Sequence, residues 1–238
     1  MRLFVPDPLE PGLRLELPPP TAHRVLHVMR RKPGDALALF NGRDGEWSGR
    51  IADAGKGRCA VEVAAQTRPQ APSPDLWLVF AALKRDALDL LVEKSTELGA
   101  AALLPVFTRR TVADRVNLER MAATATEAAE QCERLSVPDV RAPVPLARLM
   151  GEWLPGRRLM LCDEARDAPS VPAALAGAEP GPWAVLIGPE GGFAPEERRM
   201  LRALPYATAV SLGPRILRAE TAAIAALALW QAALGDLR

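Results

Sequence analysis

The chain has 238 residues, 49% of them hydrophobic and 25% charged, with a formal net charge of +1, ordinary values for one large globular domain or two small ones. No apolar run reaches the length of a bilayer span, and the opening MRLFVPDPLEPGLRL lacks the apolar stretch of a signal peptide, so no membrane association and a cytoplasmic location are expected. Cys59, Cys132 and Cys162 lie far apart with no CxxC pair and read as small core residues rather than zinc ligands, disulfides or nucleophiles.

Charge is uneven along the chain. Residues 1–70 carry 11 Lys+Arg against 8 Asp+Glu, the remainder 19 against 21, which weakly favours a polyanionic partner at the front. Residues 1–68 are rich in Gly, Pro and short alternating stretches. His23 and His27 stand four apart, a spacing that binds metal on a helix, but no carboxylate or cysteine cluster joins them locally, so no metal site is expected. ALALFNG, GEWSGRIADA and RCAVEVAAQ read as short strands parted by turns at Asn41-Gly42 and Gly55-Lys56-Gly57. A small β-barrel or compact sheet follows from that pattern.

RPQAPSPD (68–75) reads as a stiff linker. LWLVFAAL is then a continuous apolar run, the mark of a strand buried on both faces. Asp86 to Leu98 is an amphipathic helix stopped at Gly99, and AALLPVF is a second strand, completing a β-α-β unit. Asn117 can cap a helix that buries Leu118, Met121, Ala122, Ala125, Ala128, Ala129, Cys132 and Leu135. Its polar stripe of Glu127, Glu130, Gln131 and Arg134 faces either solvent or a substrate. RRLMLC, PWAVLIG and ATAVSLG are further apolar strands. Pro195 opens the helix PEERRMLRAL, and ETAAIAALALWQAAL is a helix apolar almost all round, expected to be packed between other elements. Strands alternating with helices imply an α/β fold with a mostly parallel sheet.

Two segments following buried strands are candidates for carrying chemistry. LIGPEGGF (186–193) runs a strand into Gly188, Pro189, Glu190, Gly191 and Gly192, where bare backbone either allows close approach of a ligand or simply makes a tight connection. It has neither the GxGxxG spacing nor a Walker lysine. SLGPRILRAETAA (211–223) sets Arg215, Arg218 and Glu220 between two buried elements, either as an Arg–Glu pair locking the loop or as working charges.

GPEGG followed by SLGPRILRAETAA resembles the signature of the RsmE family, 16S ribosomal RNA uracil-N3 methyltransferases of the SPOUT superfamily. KRDALDLLVEKSTELG (84–99) and EQCERLSVP (130–138) are similar to two further family segments, although Glu133 stands where a small residue is expected. HVMRRKPGDALALFNG (27–42) resembles the family's N-terminal RNA-binding piece.

The resemblance implies a PUA-like RNA-binding β-barrel over 1–70 and a SPOUT methyltransferase domain over 71–238 with a C-terminal trefoil knot. It implies a homodimer acting on 16S ribosomal RNA in the small subunit, with S-adenosylmethionine held by Leu161, Ile187, Gly188, Glu190, Gly191, Gly192, Ser211, Leu212, Gly213, Ile216, Leu217 and Arg218. Arg218, then Arg110, would favour the uracil anion, and Glu220 would take the proton or orient Arg218. Arg24, Arg30, Arg31 and Lys32 would contact phosphates. No metal is called for, because a sulfonium already activates its methyl group. Two other readings remain: an α/β enzyme that binds a nucleotide phosphate through GPEGG, and a ribosome-assembly module that binds RNA without catalysis.

Overall fold

The computed structural model describes residues 1–238 apart from Lys56, Ala165, Arg166 and Arg238. The middle residue of the expected Gly55-Lys56-Gly57 turn thus lies outside the described residues. Two compact units emerge. The first joins Met1–Pro72 to a distant segment, Ala129–Val137; the second holds Ser73–Ala128 and Pro138–Arg238.

In the first unit, β1 (Arg2–Phe4), β2 (Arg14–Glu16), α1 (Pro19–His23), a π-helical turn (Arg24–Val28), β3 (Ala36–Phe40), β4 (Glu46–Gly55) and β5 (Arg58–Arg68) follow in order. The strands form one sheet in the order β1-β3-β4-β5-β2. Leu37 and Leu39 on β3, Ile51 on β4 and Val61 and Val63 on β5 point inward at alternate positions, meeting Leu3 and Val25 in a core. The Asn41-Gly42 turn forms for the expected reason: Gly42 adopts φ +83°, and the Asn41 side chain accepts N–H bonds from Arg43 and Asp44 at 3.0 and 2.9 Å.

The segment 129–137 completes this unit. Glu130 is buried, accepts a hydrogen bond from the Phe4 amide at 3.1 Å, and pairs with Arg24 at 2.8 Å. Arg2 donates to the carbonyls of Ala129, Glu130 and Arg134 at 3.0, 3.3 and 2.8 Å. Within the polar stripe, Glu130 therefore faces neither solvent nor substrate, because it anchors the first strand. Its helix, α3, runs Leu118–Gln131 after α2 (Arg85–Glu97), and ends before Leu135 because Glu133 turns the chain with φ +61°.

The second unit is a layered α/β structure. Its strands are β6 (Leu76–Ala81), β7 (Ala102–Phe107), β8 (Asp139–Val140), β9 (Val144–Pro145), β10 (Arg158–Cys162), β11 (Trp183–Ile187) and β12 (Ala207–Val210). They lie in the order β12-β10-β11-β6-β7-β8, with β9 also on β7, and all pairings are parallel. Every residue of β6 and β11 is buried, as continuous apolar runs require of a sheet covered on both faces. Leu159, Leu161, Ala184, Leu186, Val79 and Leu104 share one core face with Leu146 and Met150 of α4 (Leu146–Gly151) and Leu201 of α6 (Pro195–Arg202). α7 (Ala219–Leu234) packs on α2, β11 and α5 (Val171–Leu175), and Gln231 donates to the Leu98 carbonyl at 2.7 Å. Only part of α7 is covered in the single chain: Leu229 is exposed, and Ile224, Ala225 and Ala228 are half-buried. No helix among the described residues is long and apolar enough to cross a membrane.

Candidate active site

The carboxyl ends of three adjacent strands, β10, β11 and β12, meet at one cleft. Cys162, Asp163 and Glu164 continue β10; Ile187 to Glu190, with Gly192 and Phe193, continue β11; Leu212 to Leu217 follow β12, and Ala219 and Ala222 of α7 close the side. The cleft contains about 780 Å3 of empty space, its open mouth included. Strand ends of a parallel sheet are where such folds place ligands, because the loops there are free of the hydrogen-bond ladder.

Bare backbone shapes the walls. Gly192 holds φ +69°, and a Cβ there would fall 2.1 Å from a Glu164 carboxylate oxygen. A Cβ on Gly188 would come within 2.9 Å of the Phe193 ring. Gly213 holds φ +104° and faces open space, since nothing lies within 4 Å of its Cβ direction. Its amide donates to the Ser211 hydroxyl at 3.2 Å, and the Ser211 amide donates to the Pro169 carbonyl at 2.8 Å. Ser211 therefore braces the loop from behind the cleft wall.

Electrostatics differ across the wall. The Asp163 side chain is fully buried and meets Arg202 at 2.6 Å and Arg198 at 3.9 Å. Arg202 also grips Asp167 at both oxygens, 2.9 and 2.6 Å, and these bonds hold the Asp167 carboxyl at about 2. Burial pushes the Cys162 thiol up to about 12, so it stays neutral at physiological pH and is no nucleophile.

Eight of the cofactor-site residues expected from the sequence meet on this cleft: Ile187, Gly188, Glu190, Gly192, Leu212, Gly213, Ile216 and Leu217 line it together with Cys162, Asp163 and Glu164, which sequence reasoning missed. Leu161 does not reach it; that side chain is fully buried in the core on the other face of the sheet. Gly191 turns away, its carbonyl accepting a 2.8 Å bond from Arg110. Arg218 is the N-cap residue of α7, exposed, between the cleft-lining Leu217 and Ala219. Among the described residues no ion pair joins Arg215 or Arg218 to Glu220, so the loop is not locked by the expected alternative pairing. A smaller pocket, lined by Ala82, Leu83, Lys84, Arg110, Val112, Ala113, Pro189 and Glu190, shares Pro189 and Glu190 with the cleft.

The candidate phosphate contacts lie in the first unit. Arg30, with φ +53°, and Lys32 are exposed, whereas Arg31 is half-buried and reaches Asp35 at 3.9 Å. Arg24 is committed to Glu130, so its charge is already balanced. The exposed His23 and His27 rings lie 4.9 Å apart, and no group of three metal-binding side chains occurs among the described residues.

Residues 69–231 match a family described as an RNA methyltransferase domain, and residues 25–64 one described as an RNA methyltransferase PUA domain. The ribosomal RNA small subunit methyltransferase E of Rickettsia conorii is 33% identical over 230 residues, 95% of this chain and 93% of its own. A Legionella pneumophila structure in complex with bound SAM superposes with a TM-score of 0.89 at 32% identity, covering 99% of this chain and 98% of that one. A ribosomal RNA small subunit methyltransferase E from Neisseria gonorrhoeae, bound to S-adenosyl methionine, gives a TM-score of 0.89 at 28% identity over 100% and 99% of the two chains. The chain belongs to the ribosomal RNA small subunit methyltransferase E family.

Proposed function

We propose that this chain transfers a methyl group from S-adenosylmethionine to N3 of a uracil in 16S ribosomal RNA, in the cytoplasm. The observation that carries the reading is the convergence of both glycine loops, 188–192 and 212–217, on one cleft. Its residues suit an amphipathic cationic cofactor: Ile187, Leu212, Ile216 and Leu217 offer apolar walls, open space adjoins Gly213, and Glu164 and Glu190 supply negative charge. Two relatives whose structures hold this cofactor cover nearly the whole chain. When bound, the cofactor supplies a methyl group already activated by its sulfonium.

The protein's task is then to make N3 reactive. That nitrogen carries a proton and is a poor nucleophile until it loses it, so nearby cations lower the cost of the ring anion. Arg218, exposed beside the cleft, and Arg110, which donates to the Gly191 carbonyl, do that work in this reading, with Glu220 on the first turn of α7 nearby in sequence. N3 lies on the Watson–Crick edge, so the base must be unpaired or drawn out of its stack. Residues 1–70, as a PUA-like β-barrel, hold the RNA through Arg30, Arg31 and Lys32, and residues 71–238 form the SPOUT methyltransferase domain with its C-terminal trefoil knot. The half-covered apolar face of α7 supports a homodimer contact.

Mass spectrometry of 16S ribosomal RNA incubated with the protein and isotope-labelled S-adenosylmethionine tests this. One label at uracil N3 is the expected product. A label at C5 or on a ribose oxygen would overturn the assignment.

A further inference from the structure

We propose that Lys84, Glu190 and Arg110 read the imide edge of the acceptor uracil, with Glu190 as the group that takes the N3 proton. The inference rests on the methyl-transfer reading above and adds a recognition site to it. Lys84 and Arg110 line the small pocket beside the cleft, and Glu190 belongs to the walls of both. A group in that pocket lies across one shared wall, Pro189-Glu190, from anything held in the cleft. A base edge presented there therefore lies beside anything held in the cleft.

All three side chains are exposed, and among the described residues none has an ion-pair partner, although charges of both signs line one small pocket. Such a set is suited to a ligand with a matching pattern. The uracil imide edge presents an acceptor, a donor and an acceptor in sequence: O2, N3–H and O4. An ammonium and a guanidinium only donate, and a carboxylate only accepts. Two cations and one carboxylate thus supply the kinds of group that complement that edge. Cytosine carries an amino donor in place of O4 and no proton at N3, so it would set donor against donor and leave Glu190 without a partner. A site built of hydrogen-bonding groups rejects such a mismatch strongly.

The same set moves the proton. The N3–H proton passes to the Glu190 carboxylate, and the negative charge left on the ring spreads over O2, N3 and O4, where Lys84 and Arg110 face it; Glu190 then releases the proton to solvent. Glu190 fits this role better than Glu220, which lines neither pocket. The Lys84 backbone and the Arg110 side chain are both anchored. Lys84 is the N-cap residue of α2, with its carbonyl accepting from the Leu88 amide at 2.9 Å. Arg110 donates to Gly191, and its neighbour Arg109 donates its amide to Glu197 of α6 at 2.8 Å.

Glu190→Gln, Lys84→Gln, Lys84→Arg and Arg110→Gln in the full chain test the proposal on 16S RNA carrying uridine or cytidine at the target position. Calorimetry with S-adenosylhomocysteine first establishes that each variant is folded and binds cofactor. Glu190→Gln should lower kcat about 100-fold and give a rate that climbs with pH as N3 ionises unaided. Lys84→Gln should lower kcat about 10-fold with KM little changed, recover in part as Lys84→Arg, and bind uridine and cytidine RNA more nearly alike. Unchanged kcat and pH profile in Glu190→Gln with cofactor affinity intact, or a lysine effect confined to KM and salt dependence, would overturn the proposal. A wild-type protein that methylates no uracil N3 would instead overturn the reading beneath it.

Discussion

Leu161 and Cys162 are neighbours on β10, yet only Cys162 reaches the cleft, because side chains of a strand alternate between faces. Apolar composition marks a buried strand but not which of its side chains faces a cleft, so the sequence points to this strand end without telling Leu161 from Cys162. The glycine loops were legible as candidates because both follow buried strands, although a glycine-rich turn alone serves as readily as a tight connection. Within GPEGG, though, the sequence does not tell Gly191, held by Arg110, from Gly188 and Gly192, which line the wall. Gly192→Ala should weaken S-adenosylmethionine binding about 10-fold by calorimetry, since the new methyl must displace Glu164 and tolerate a left-handed backbone; unchanged affinity would remove this glycine from the site. Arg218→Ala should cut turnover far more than cofactor affinity, and equal losses in single-turnover and binding measurements would make it a binding residue instead. Cys162, whose thiol burial pushes up to about 12, should react with iodoacetamide at pH 8 more slowly than a free thiol, as peptide mass spectrometry would show.

Among elements, the longer apolar strands and amphipathic helices were readable from periodicity alone, and Asn117 caps α3 as expected, accepting from the Arg120 amide at 3.0 Å. Three-residue β1 and β2 carry too little pattern to read, and the π-helical turn has no sequence mark. Asn117→Ala should cost about 1 kcal/mol in denaturant unfolding. Arg24→Ala should cost about 2 kcal/mol, less than a fully buried pair because Arg24 is one-third exposed, while Glu130 loses its counter-charge. Arg202 ties α6 to the loop after β10. Its hydrogen bonds depress the Asp167 pKa from 3.8 to about 2, so this tie contributes fully above pH 4 and is lost as pH falls through about 2. Arg202→Ala should return the Asp167 titration, followed by NMR, to the ordinary carboxylate range.

At the level of the whole molecule, the composition shift near residue 70 is visible in the sequence, but the first unit's dependence on Ala129–Val137 is not, because it rests on contacts 106 to 132 residues apart in the chain. A fragment of residues 1–72 lacks the carbonyls that receive Arg2 and the carboxylate that receives Arg24 and the Phe4 amide. It should show no cooperative thermal transition by circular dichroism, and a sharp one would mean the returning segment is dispensable. The same discontinuity sets an order of events at birth. A polypeptide leaving the ribosome tunnel releases its first β-sheet early, but that sheet must wait until residue 137 has emerged before its last pieces arrive. The newborn protein thus acquires a finished front end only when more than half of it has been translated.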